Sequence, residues 1–398
     1  MIQRQEFINI LINFRDKRLI KVVTGIRRCG KSTLLELFQD YLRAGGVSDD
    51  QIIAINLEEG EFDEIETYKQ LYKHIVDKII PNKSAYIFID EVQRVADFQK
   101  CVDSLYVKKN CDVYITGSNA YLLSGELATL LSGRYVEIKM LPLSFKEYIS
   151  AFPENSNPER LYTDYIQNSA FPYALEIAKL KDRRQYLQSI YDTIVLKDIV
   201  ARKKFPNTAM LKSVVRFLFD NIGNLCSTKK IADTMTSAGR KISVHTVESY
   251  LSALTDSFIF YQIGRYDIKG KQYLKTGDKY YAADVGLRYV MLGAKKADMG
   301  HILENVVFLE LIRRGYEVYI GKAGNMEVDF LAVGDEGVEY YQVAYTVNDA
   351  DGTALRRELA PLEAISDHNP KYLLTMDNLP FASHNGIKQI YALNWLMK

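Results

Sequence analysis

Gly25-Ile26-Arg27-Arg28-Cys29-Gly30-Lys31-Ser32-Thr33 is the stretch that decides how this 398-residue chain is read. Gly25, four further residues and then Gly30-Lys31-Ser32 fit the phosphate-binding loop pattern. The flanks suit such a loop. Leu19-Ile20-Lys21-Val22-Val23-Thr24 is a short, largely apolar run of strand length, and Leu34, Leu35, Phe38, Tyr41 and Leu42 recur afterwards at helical spacing. Glycines let backbone N–H groups curl around an anionic phosphate, and the start of the following helix adds a favourable dipole. Lys31 is of a length to reach the outer phosphates, while the Ser32 hydroxyl is a ligand for Mg2+. The reading places Gly25, Arg28, Cys29, Gly30, Lys31, Ser32 and Thr33 against bound ATP.

Such a loop requires a buried strand ending in carboxylates. Ala85-Tyr86-Ile87-Phe88-Ile89-Asp90-Glu91 supplies it. Asp90 is expected to hold Mg2+ together with Ser32, and Glu91 to polarise the attacking water. A third strand, Asp112-Val113-Tyr114-Ile115-Thr116-Gly117, runs into Ser118-Asn119, polar groups placed to contact the γ-phosphate or orient the water. Leu131-Ser132-Gly133-Arg134 precedes a further strand, Tyr135-Val136-Glu137-Ile138, and Arg134 offers positive charge to a nucleotide, its own or a neighbouring subunit's.

Together with Leu141-Pro142-Leu143-Ser144-Phe145, these motifs resemble the AAA-type prokaryotic ATPases of unassigned role, which pair an N-terminal AAA domain with a C-terminal domain of unknown function. The resemblance covers nearly the whole chain. It implies an AAA-like P-loop sheet with strand order 5-1-4-3-2, Asp90 and Glu91 as the Walker B pair, and Ser118 or Asn119 at the sensor-1 position. It also puts Arg134 in a Gly-Arg motif, where a finger role acting across a homo-oligomer is implied.

Further along, Leu211, Val214, Val215, Leu218 and Phe219 recur at helical spacing, and Ser227 and Ser243 are placed to cap two more helices. Two strands follow, Phe258-Ile259-Phe260-Tyr261 and Lys279-Tyr280-Tyr281-Ala282, around the basic turn Lys269-Gly270-Lys271. Three helices and a hairpin predict a winged helix, with Lys269, Lys271 and Lys275 near phosphates of duplex DNA. Between Pro158 and Lys204 the pattern is helical, with Tyr165, Tyr173, Leu187 and Tyr191 as core.

The last third alternates a helix containing Glu304 with strands Glu317–Ile320, Glu327–Ala332 and Glu339–Ala344. This resembles the restriction-endonuclease-like fold, and the resemblance puts Glu304, Asp329 and Gln342 at its acidic and polar metal positions. The lysine that such a site has two residues after its third ligand is replaced by Ala344, which is neutral.

Charge is distributed unevenly under a net of only +1. Lys197–Lys279 carries 15 Lys/Arg against 7 Asp/Glu, whereas Asp298–Lys398 carries 8 against 15. A basic middle beside an acidic end points to separate domains and makes the middle the face for a polyanion, DNA above all. A composition of 47% hydrophobic and 25% charged residues excludes wholesale disorder. No apolar run reaches the ~18–20 residues of a membrane span, and four scattered cysteines form no zinc or disulfide pattern, which fits a cytoplasmic protein. The expected organisation is an α/β chain: an AAA-like ATPase domain over 1–155, a helical lid or linker over 156–204, a winged helix over 205–297 and a restriction-endonuclease-like α/β domain over 298–398. The leading functional reading is a Mg2+-dependent ATPase that couples nucleotide state to a partner. The alternatives are an ATP-regulated, metal-dependent nuclease and a nucleotide-dependent switch with little turnover.

Overall fold

The computed structural model describes residues 2–120, 131–200, 203, 205, 207–293, 299–380 and 382–398, without the side chains of Leu196, Lys197, Lys275 and Thr276. The expected phosphate contact of Lys275 and the expected boundaries at residue 204 and residues 297–298 lie outside the described residues. The chain divides into two compact units, Met1–Pro142 with Asp256–Phe258, and Leu143–Thr255 with Ile259–Lys398.

In the first unit, strands β1 (Ile20–Thr24), β2 (Ile52–Asn56), β3 (Ala85–Asp90), β4 (Cys111–Gly117) and β5 (Tyr135–Lys139) alternate with helices. These include α1 (Gln5–Phe14), α2 (Lys31–Ala44), α3 (Tyr68–Val76) and α4 (Phe98–Val107). The spatial order is β2-β3-β4-β1-β5, and every pairing is parallel. This is the 5-1-4-3-2 order that the resemblance implies. Strands β1 and β3 are buried along their whole length, as parallel strands covered on both faces must be. Helix α2 turns Leu34, Leu35, Phe38 and Leu42 inward, four of the five positions its spacing predicts, while Tyr41 is 38% exposed. One charge lies inside β1. Lys21 is fully buried and pairs with Asp112 on β4, which also accepts hydrogen bonds from the Tyr114 hydroxyl (2.8 Å) and the Asp16 amide (2.9 Å). A buried ammonium requires such a partner set.

The second unit begins with helices and ends in a sheet. Pro158–Asn168 and Leu180–Thr193 are α-helical, and Tyr165, Leu187 and Tyr191 are buried in it as expected. Tyr173 is not. It lies on the short 3-10 turn Pro172–Glu176, is 55% exposed, and meets Tyr186 edge-on. Helices Thr208–Asp220, Thr228–Ser237 and Val244–Asp256 follow. The Ser227 and Ser243 hydroxyls accept from the Lys230 and Thr246 amides, capping the second and third of them.

The remaining strands are β6 (Phe260–Asp267), β7 (Gln272–Ala282), β8 (Glu317–Ala323), β9 (Met326–Gly334), β10 (Gly337–Ala344), β11 (Lys371–Thr375), β12 (Ser383–His384) and β13 (Ile387–Tyr391). They form one sheet ordered β12-β13-β11-β10-β9-β8-β6-β7, so the β6–β7 hairpin shares a sheet with the strands of the acidic last third. Its link is the parallel pairing of Arg265–Asp267 with Ile320–Lys322. Helix Met299–Arg313 buries Ile302 through Leu311 without interruption, which takes both Glu304 and Glu310 into the interior. No helix among the described residues is long and apolar enough to cross a membrane.

Candidate functional site

The first unit gathers its polar residues at the carboxyl ends of β1, β3 and β4. The loop Gly25–Gly30 leaves β1 and enters α2 at Lys31. Its shape depends on glycine at two places. Gly25 has φ +146°, and a Cβ there would lie 2.0 Å from the Met140 carbonyl oxygen; Gly30, at φ +102°, starts the helix. Arg28 takes a positive φ of 68° and is exposed, while Arg27 pairs with Glu58 at 2.5 Å. The Cys29 side chain turns away from the loop's open side: it is buried and approaches the Met140 carbonyl at 3.5 Å.

Lys31 is buried, and its ammonium donates to the carbonyls of Gly25 (3.1 Å) and Ile26 (3.2 Å), folded over the loop that its own helix closes. Ser32 is exposed and Thr33 half-buried at the start of α2. The Ser32 side chain is close enough to Asp90 to help hold that carboxyl down, so the two residues expected to hold Mg2+ are neighbours. Both are hard oxygen donors, the type this ion takes, and the residues present fit a Mg·ATP group. Asp90 is buried and its carboxyl is pushed up by that burial and by Glu91, against the hydrogen bonds of Ser32 and Thr116 and the charge of Lys31, which hold it down.

Glu91 stands next to Asp90 with a left-handed backbone, φ 52°. Its carboxylate accepts hydrogen bonds from Gln93 and from the Ser118 hydroxyl, the latter at 3.2 Å. Ser118 and Asn119 are both buried at the end of β4. Thr116, two residues earlier, was not singled out from sequence. Its hydroxyl donates to Asp90 and accepts from the Glu91 amide at 3.0 Å, so one side chain of β4 holds both Asp90, the last residue of β3, and Glu91 just after it. The signal was a polar residue inside an apolar strand, but its partners follow only from β4 lying beside β3. Removing the hydroxyl in Thr116→Val is expected to lower ATP turnover about fivefold, the loss of roughly 1 kcal/mol of hydrogen bonding, with the fold intact by circular dichroism. Unchanged steady-state turnover would show that Thr116 does not position the pair.

Arg4 is a second residue that sequence reading passed over. It is buried, donates to the carbonyls of Cys29 (3.3 Å) and Leu141 (2.8 Å), and so braces the loop against the chain after β5. Arg134 lies elsewhere. Its carbonyl accepts from the Ile20 amide at 2.8 Å, which puts it at the amino ends of β1 and β5, a strand length of roughly 16 Å from the phosphate loop at the opposite edge. There it pairs with Asp103 and lies over the Tyr106 ring at 5.4 Å. A cavity of about 470 Å3 opens on the same edge, lined by Lys17, Arg18, Tyr106 and Lys108 among others.

In the second unit, Glu304, Asp329 and Gln342 do converge. The Asp329 amide donates to Gln342 (3.2 Å), the Val343 amide donates to Asp329 (2.8 Å), and Glu304 lies on the adjoining helix. Lys279 of β7 joins them, 2.8 Å from Glu304 and 3.8 Å from Asp329. From sequence it stood out only as a charge at the start of an apolar strand, its partners being at least 25 residues away.

Comparison with known proteins agrees with the first unit. The family described as an AAA domain matches residues 17–149, and a domain of unknown function (DUF8612) matches residues 159–298. An uncharacterized protein of Haemophilus influenzae is 41% identical over 100% of this chain and 99% of its own length. The uncharacterized protein MJ1544 of Methanocaldococcus jannaschii is 31% identical over 90% of this chain and 80% of its own. Among solved structures, the Walker-type ATPase PABY2304 of Pyrococcus abyssi has a similar fold, with a TM-score of 0.51 at 14% identity over 73% of this chain and 96% of that one. The chain carries an AAA domain over residues 17–149 on a P-loop sheet, and it belongs to one family with the uncharacterized Haemophilus influenzae and Methanocaldococcus jannaschii proteins.

Proposed function

We propose that the protein binds ATP at Gly25–Thr33 and hydrolyses it, and that the nucleotide state is passed to a partner of the second unit. The observation that carries the reading is the arrangement of Glu91: held by Ser118 and Gln93, it adjoins the Asp90–Ser32 pair at the mouth of the phosphate loop. Loop amides from Gly25 to Thr33, with Arg28 and Cys29 contributing through backbone, would bind the phosphates. Lys31 would leave the carbonyls it now caps and neutralise the outer phosphates. Mg2+ bound with the nucleotide supplies charge neutralisation of the phosphates, and Ser32 and Asp90 are the residues to hold it. Glu91 would orient water and take its proton, while Ser118 and Asn119 position the γ-phosphate side. Arg134 is too far from its own loop to act there, so its contribution to catalysis would be made to a second copy, in a homo-oligomer.

For the partner we propose duplex DNA, at the three helices Thr208–Asp220, Thr228–Ser237 and Val244–Asp256 and the hairpin after them, read as a winged helix. Lys269 and Lys271 are exposed at the hairpin's turn, and Lys229, Lys230, Arg240 and Lys241 lie on or beside the second helix. ATPase activity measured with and without duplex DNA over a salt series tests this. The apparent DNA affinity read from the stimulation should fall linearly with salt on a log–log plot, with a slope of roughly −0.9 per phosphate neutralised. Stimulation that is absent at low salt, or insensitive to salt, would exclude DNA as this partner.

A further inference from the structure

The restriction-endonuclease-like resemblance implies a divalent metal among Glu304, Asp329 and Gln342, and the donor set does not fit one. Lys279 lies among the carboxylates. Its ammonium is 2.8 Å from Glu304 Oε1, 2.9 Å from Glu327 Oε1 and 3.8 Å from Asp329 Oδ1, and its side chain is buried. The Tyr281 hydroxyl donates to the same Glu304 oxygen at 2.6 Å. On the far side, a Cβ at Gly223 would lie 3.1 Å from Glu304 Oε2, so backbone closes the cluster there. Asp329 Oδ2 accepts from the Val343 amide, and Gln342 is spent on the Asp329 amide and on Glu358 (2.9 Å).

We propose that Lys279 is a built-in cation, occupying the space among Glu304, Glu327 and Asp329 in which a divalent ion would otherwise be held. Two features argue for this. An ammonium has three donors, and its two short distances, to Glu304 and Glu327, are those of charge-assisted hydrogen bonds, with Asp329 further off at 3.8 Å. A divalent ion needs oxygens at about 2.0–2.6 Å and would have to share them with a positive charge already in contact. Among the described residues, no group of three or more His, Cys, Asp or Glu is arranged to hold a metal ion. The centre is therefore ionic and structural. It ties β7 to helix Met299–Arg313 and to β9, and it makes the hairpin and the last third one body.

The test uses Mn2+ alone as probe on the full-length, nucleotide-free chain, with bound ion counted by electron paramagnetic resonance. The wild type and Asp329→Asn should take up Mn2+ equally. Lys279→Ala should gain about one Mn2+ per chain, lost again when Asp329→Asn or Glu327→Gln is added, and its melting temperature should rise with Mn2+ while that of the wild type does not. Mn2+ bound by the wild type and lost in Asp329→Asn overturns the proposal, as does a folded Lys279→Ala that gains no ion. Should Lys279→Ala not fold, Lys279→Met serves in its place, and the wild-type comparison with Glu327→Gln stands on its own: uptake that depends on Glu327 overturns the proposal and uptake that does not supports it. No arm depends on ATP, so the outcome is separate from that of the ATPase reading.

Discussion

Lys31→Ala is expected to reduce ATP turnover by at least a hundredfold and to weaken nucleotide binding. Lys31 sits at the first position of α2, where the helix dipole already favours an anion, and its ammonium caps the carbonyls of Gly25 and Ile26. A bound triphosphate presents better acceptors than two neutral carbonyls, so the lysine exchanges partners when phosphate arrives. In the buried setting of this loop the contact is charge-assisted and poorly screened by water. Removing one such electrostatic contact costs roughly 3–4 kcal/mol in the transition state, or two to three orders of magnitude in rate. A methionine at the same position retains the stem without the charge, so equal losses in Lys31→Ala and Lys31→Met would assign the effect to charge. A steady-state assay with both variants, and a binding titration with a fluorescent ATP analogue, measures this.

Glu91→Gln is expected to act differently: binding kept, turnover lowered by about a hundredfold to ten-thousandfold, the span of general-base contributions. The amide has nearly the shape of the carboxylate and remains within reach of Ser118 and Gln93, but it takes no proton from water. Its left-handed backbone, φ 52°, is set by neighbours that the substitution leaves in place, among them the Thr116 hydroxyl on the Glu91 amide. The charge beside Asp90 also disappears. Glu91 is one of the groups that push the Asp90 carboxyl up, so the variant should hold Asp90 ionised to lower pH and bind Mg·ATP at least as well as the wild type. A variant that lost binding and turnover together would place Glu91 in nucleotide binding instead.

The two units were not equally legible in sequence. The phosphate loop is contiguous, so Gly25, Gly30, Lys31 and Ser32 carry their chemistry within nine residues, and the burial of β1 and β3 follows from unbroken apolar runs. The caps at Ser227 and Ser243 were equally local. What escaped depends on strands laid side by side. Thr116 reaches Asp90 and Glu91 only because β4 separates β3 from β1, and Lys21 finds Asp112 across that same sheet. Lys279 is the largest omission. Counted in sequence among the charges of a basic middle, it is withdrawn from solvent by Glu304 and Glu327, so the exposed charge of that segment is one short of the tally. Tyr173 was misplaced as core, since it is exposed on a turn too short to carry it inward, while the Cys29 side chain is buried against Met140 and leaves its backbone to the loop.

The most direct measurement is single-turnover conversion of radiolabelled ATP, with enzyme in excess and Mg2+ present, followed side by side in the wild type and in Glu91→Gln. The account predicts that the wild type releases labelled phosphate while Glu91→Gln keeps its ATP bound and intact over the same interval. Equal conversion by the two proteins, or a wild type that releases no labelled phosphate, would contradict it.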